Sequence, residues 1–153
     1  MLPDLLHFED FHAGQIIPLG SRTLDAKEMI AFASEFDPQP QHLDPEAAKH
    51  SILGGLAASG WYLSAFAMRM LVDGLFNRSA ALGSPGIDEL QWRRPALVGD
   101  TLRLESEVLD TRASSNPRRG FVKFRVELRR GEERIMMFVC SVMFKRRASP
   151  DRA

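Results

Sequence analysis

Cysteine occurs once in this 153-residue chain, at Cys140, so no intrachain disulfide braces it. A lone thiol suits a reducing cytoplasm. Its setting in the apolar run Ile135 to Val142 marks a small core residue rather than a nucleophile. Net charge is missing too: lysine plus arginine and aspartate plus glutamate both total 20. That balance argues against a general nucleic-acid binder and leaves self-association unopposed. A basic-then-apolar leader is also lacking, because Met1-Leu2-Pro3-Asp4 carries proline and acid instead. The one stretch of membrane length, Leu56 to Asn77, is interrupted by Arg69 and Asp73 and has no anchoring flanks. A buried helix in a soluble, cytoplasmic protein is expected, with no membrane partner. Metal patterns are wanting: His42, Asp44 and His50 lack a ligand spacing, and no His-Glu-x-x-His occurs. No metal or separate cofactor is expected.

What remains suffices for one domain over residues 1–153, with its core at about 8–146. Residues 1–20 read as an extended lead-in, anchored by Phe8, Phe11, Ile16 and Ile17 and turned at Gly14 and Gly20. A short strand over Ser21 to Leu24 follows. Asp25 and Glu28 make a capping-box pair for a helix over Ala26 to Phe36, which must stop before Pro38. Asp44-Pro45-Glu46 starts a second, short helix to about His50. After Leu53-Gly54-Gly55, a long helix from about Leu56 is apolar on nearly all sides, so other structure should wrap it. Beyond Ala81 the pattern is β, with a strand approaching Gln91 and turns at Pro85-Gly86, Val98-Gly99-Asp100 and Gly131-Glu132-Glu133. Strands over Thr101 to Leu109, Phe121 to Leu128 and Arg134 to Lys145 imply an antiparallel sheet. One long helix plus such a sheet is an α+β architecture. Residues 148–153 read as a frayed tail.

The chemistry concentrates in Phe36-Asp-Pro-Gln-Pro-Gln-His42. Pro38 and Pro40 exclude a helix or central strand across this segment and stiffen it. An acid and an imidazole on a stiff loop can be aimed at one bound molecule, the layout that general acid–base catalysis needs. The bland reading makes Asp37 a turn cap and His42 a loop histidine. Likewise Ser59-Gly60 can be a close-packing contact, and Trp61, Tyr62 and Phe66 can be core.

Several motifs recur in a recognisable order: Asp-x4-His, Asp-Pro-Glu-Ala-Ala, Gly-Gly-Leu-Ala-Ala-Ser-Gly-Trp and Arg-Pro-Ala-Leu-Val-Gly-Asp-Thr-Leu. From about Phe8 to Arg146 the chain resembles the MaoC-like dehydratases, the (R)-specific enoyl-CoA hydratases of the hotdog fold. The resemblance implies a long central helix wrapped by a curved antiparallel sheet, in a homodimer or an oligomer of dimers. It implies reversible addition of water to the 2,3-double bond of an acyl-thioester, with coenzyme A as part of the substrate. Carried across, the catalytic residues are Asp37, His42 and, through its backbone N–H, Gly60; Gln39, Ser59 and Trp61 are the substrate-binding candidates. This chain departs from the family in three positions. Gln39 replaces the usual asparagine, Ser59 stands where many members have histidine, and Ala65 stands where many have serine, with Ser64 one position off. Among Arg93, Arg94, Arg118, Arg119, Arg129 and Arg130, some have the chemistry to grip coenzyme A phosphates. Two other activities fit the same fold: a hotdog thioesterase, and a non-catalytic acyl-thioester-binding or partner subunit.

Overall fold

Proline and glycine punctuation sets most element ends in the computed structural model, which describes residues 4–148. Helix α1 covers Ala26–Phe36, with the Asp25 carboxylate accepting the Glu28 N–H at 3.0 Å. The capping box is only half formed, because the Glu28 side chain turns to Arg22 and Tyr62 instead. Helix α3, Pro45–Lys49, begins as expected, with proline in its first turn and Asp44 accepting from the Glu46 N–H at 2.9 Å.

Several expectations need correction. Strand β1 runs Ile16–Thr23, so most of it lies in the stretch read as lead-in. Gly20 is no turn; it adopts a φ of +81° inside a bulge between Pro18 and Ser21, and the strand continues through it. The loop between Asp37 and His42 is also not wholly irregular, since Pro40–Leu43 forms the single-turn helix α2. Pro40 opens that turn, where its missing N–H costs nothing.

The long helix α4 is shorter than its apolar pattern, spanning Gly60–Gly74. Residues 56–59 are pulled into extended structure by tertiary pairing. Ala57 bridges Leu97, the Ala58 N–H donates to the Ala96 carbonyl at 2.8 Å, and the Val98 N–H donates to that of Leu56 at 3.0 Å.

The six strands form one antiparallel sheet in the order β1–β4–β5–β6. Strands β4 (Thr101–Ala113), β5 (Arg119–Arg130) and β6 (Glu133–Lys145) make its middle. Two short strands, β2 (Ala81–Gly83) and β3 (Ile87–Trp92), share the far side of β6. The inner face supplies Leu102, Leu104, Val108, Val122, Phe124, Val126 and Phe144, all buried. Against it α4 buries Tyr62, Leu63, Phe66, Ala67, Met70 and Leu71 in the same core. The approach is close: a Cβ on Gly74 would lie 2.8 Å from the Leu19 side chain. The opposite side of α4 is not wrapped; Trp61 and Met68 are 58% and 42% exposed. A curved sheet around one long helix is the hotdog fold.

Cys140 lies in this core, and burial pushes its thiol up to about 11. The C-terminal tail, apart from Ala148, falls outside the described residues.

Candidate active site

The Asp37 N–H closes α1 on the Ala33 carbonyl at 2.9 Å, and the Gln39 N–H then bonds back to the Asp37 carbonyl at 2.8 Å. That tight turn about Pro38 reverses the chain. The α2 turn follows and swings His42 inward, where it is only 8% exposed. The Nε2 of His42 comes to 3.5 Å from Asp37 Oδ2.

Both side chains are held from behind. The Ser59 hydroxyl donates to Asp37 Oδ2 at 2.7 Å, and the Gln39 amide donates to Oδ1 at 2.6 Å. Gln39 in turn accepts from the Gln41 amide at 3.1 Å. His42 Nδ1 is 2.8 Å from the Ala57 carbonyl oxygen. A carbonyl only accepts, so Nδ1 carries a hydrogen and Nε2 is the ring atom turned to Asp37. The bridge to Leu97 that unwinds residues 56–59 thus also aims the Ala57 carbonyl at the imidazole.

Ser59 precedes α4 and caps it with no side-chain bond, because its hydroxyl is given to Asp37. The Gly60 N–H has no acceptor among the described residues. It therefore remains a free donor at a helix N-terminus. The hydrogen bonds from Gln39 and Ser59, with the nearby His42, hold the Asp37 carboxyl below the usual carboxylate range. A lowered native pKa means that ionised Asp37 contributes stability at pH values above the unfolded carboxylate's pKa of about 3.9. That contribution is lost as pH falls through the lower native value. Ser59→Ala should therefore raise the Asp37 titration midpoint toward the ordinary value, as read by carboxyl-carbon NMR. A midpoint that stays put would leave Gln39 and His42 as the controlling groups.

A cleft of about 420 Å³ opens beside these groups, lined by Asp37, Gln39, Gly60, Trp61 and Trp92 among others, with His42 and Ser59 buried behind its wall. Trp61 meets Trp92 edge-on, with ring centroids 5.0 Å apart. The Trp92 ring also lies against the Gly60 backbone, close enough that a Cβ there would come within 2.6 Å of it. Ser64 does not enter the cleft wall; its hydroxyl donates to the Gly60 carbonyl at 3.1 Å and faces Met136. Ala65 is exposed.

Asp37, Gln39 and Ser59 thus form one hydrogen-bonded group with His42 Nε2 3.5 Å from the carboxylate, and Gly60 and Trp61 border the cleft that Asp37 lines. Sequence reasoning missed two contributors. The Ala57 carbonyl has no side-chain signal at all, and Trp92 was visible only as an aromatic before the Arg93-Arg94-Pro95 corner. Of the six arginines considered, Arg93 and Arg94 line this cleft. No group of three or more potential metal ligands occurs among the described residues. No helix of the described residues is long and apolar enough to cross a membrane.

Known proteins share this fold. A MaoC-like dehydratase from Rhodospirillum rubrum has a similar structure, with 37% identity and a TM-score of 0.86 over 94% of this chain and 99% of that one. The (R)-hydratase from A. caviae involved in PHA biosynthesis shares the fold, at 23% identity and a TM-score of 0.69 over 88% of this chain and 97% of that one. In sequence, the uncharacterized Bacillus subtilis protein YdeM is 26% identical over 111 residues, 72% of this chain and 79% of that protein. Residues 13–129 match the MaoC like domain, and the chain belongs to that family.

Proposed function

We propose that this protein is a hydratase, or a dehydratase in reverse, acting on the 2,3-double bond of an enoyl-thioester, most naturally the coenzyme A form. The observation that carries this reading is the Asp37 Oδ2–His42 Nε2 pair, 3.5 Å apart beside the free Gly60 N–H. Two acceptors that close, one a carboxylate and one an imidazole lone pair, suit a water that donates a hydrogen to each. Its oxygen lone pairs then face the cleft and the β-carbon of a bound enoyl group. As the oxygen adds to the β-carbon, one of the pair takes a proton from the water, and that same proton is then passed to the α-carbon, so that the elements of one water are added. Negative charge collects meanwhile on the thioester oxygen, where the Gly60 N–H and the α4 dipole stabilise the enolate.

Ser59 and Gln39 act on Asp37 in this reading, keeping it ionised and oriented rather than gripping substrate. Trp61, with Trp92, forms the apolar wall for the acyl group or the thioester arm. Among the described strands β3 pairs with β6 alone; Ile87 and Trp92 on it are exposed, with Trp92 against Trp61. A second copy of the chain is the natural cover for that edge, giving a homodimer.

The test is an absorbance assay with crotonyl-CoA and longer enoyl-CoAs, run beside a free-thiol readout. Loss of enone absorbance with no thiol release is the expected result. Thiol release would turn the reading to a thioesterase. Binding of the thioester with neither change would turn it to a non-catalytic subunit.

A further inference from the structure

At the far end of the sheet, roughly 30 Å along β6 from Ile135, lies a second cleft of about 850 Å³. The ends of β5 and β6 and the turn before β5 line it, through Asn116, Arg118, Arg119, Lys145, Arg146 and Arg147. Five of these six residues are cations, and no carboxylate among the described residues lines the cleft. Two of the five have partners elsewhere: Arg146 pairs with Glu9 at 3.3 Å and Arg147 with Asp10 at 2.7 Å. Arg118, Arg119 and Lys145 make no ion pair among the described residues.

Two further observations point to an anionic ligand. Arg119 and Lys145 are directly opposed in the β5–β6 register, an arrangement of like charges that destabilises a sheet unless something lies between them. In addition, Arg119 Nε is buried without a hydrogen-bond partner. A buried donor left unsatisfied carries a desolvation cost, so native proteins rarely keep one without a reason.

We propose that this cleft is a binding site for a diphosphate group, free or within a nucleotide. A diphosphate carries several negative charges, enough to answer three cations that have no ion-pair partner among the described residues, and guanidinium forks match its oxygens. The cleft volume falls in the range of small-molecule sites. Its lining has no aromatic ring to stack on a base, so the phosphates rather than the base carry recognition. The site is separate from the cleft over Asp37 and does not depend on the reaction there.

Calorimetric titration of the full-length protein with pyrophosphate and with ADP, at low and moderate salt, tests this. Both ligands are expected to bind with affinities within about threefold of each other. Arg118→Gln combined with Lys145→Gln, both exposed positions, is expected to weaken both at least ~10-fold, as loss of charge-assisted hydrogen bonds requires. Arg103→Gln removes one cation from outside the cleft and should leave binding unchanged. Absence of binding at millimolar ligand overturns the proposal. So does an equal loss in Arg103→Gln, which would reduce the effect to net charge, or full affinity in the double variant. Binding of ADP without pyrophosphate would overturn it also, since the base would then be what is read.

Discussion

Asp37→Asn is expected to lower kcat/KM for enoyl-CoA hydration by about 10²–10⁴-fold, the usual contribution of a positioned acid or base. Asparagine preserves the shape of the side chain, so the protein should keep its melting temperature within a few degrees. It removes the charge, however, and replaces an acceptor oxygen with an amide that cannot accept a proton from water. The Ser59 hydroxyl and Gln39 amide, which both donate to the carboxylate, would then face an amide donor on one side. His42→Ala should cost as much activity, but less cleanly. It also deprives the Ala57 carbonyl of its partner in a buried setting, a loss of about 1–3 kcal/mol. Stopped assays on both variants, each beside a melting curve, separate the two effects. If Asp37→Asn retained wild-type turnover, the assignment of the pair would fall.

Gly60→Ala is the second large effect, and here one methyl group acts on stability and activity together. The new Cβ would lie 2.6 Å from two atoms of the Trp92 ring, a distance real Cβ contacts do not reach. The ring must swing away or α4 must retreat, and overpacking of this kind costs about 1–3 kcal/mol. Either movement displaces the Gly60 N–H relative to Asp37 and His42. Loss of one oxyanion donor lowers kcat by about 10²–10³-fold. Trp92→Leu in the same chain removes the ring and should restore much of the stability. If the double variant melts like Gly60→Ala alone, the clash with Trp92 is not the cause.

Much of this site was legible because its parts are local. The Asp-x4-His spacing, Pro38 and Pro40 fix a turn that brings the acid and the imidazole near each other within seven residues. Caps at Asp25 and Asp44 follow from side-chain chemistry one turn away, and both formed. Misreadings came where distant segments outvoted local pattern. Leu56 to Ser59 continue an apolar helical run, yet pairing with Ala96 to Val98 draws them out. Gly20 reads as a turn, but its two flanks both find partners on β4, so it bulges.

The α+β class, the helix boundaries at proline and an acid–histidine loop ahead of a long helix can all be read along the chain, because each depends on neighbouring residues. How those groups are held comes from contacts made only after folding. The Ala57 carbonyl behind His42, the Ser59 hydroxyl given to Asp37 instead of its own helix, and the Trp92 ring on Gly60 join residues 15, 22 and 32 positions apart. Such contacts are set by sheet register and by the packing of α4 on the sheet. No local propensity encodes them.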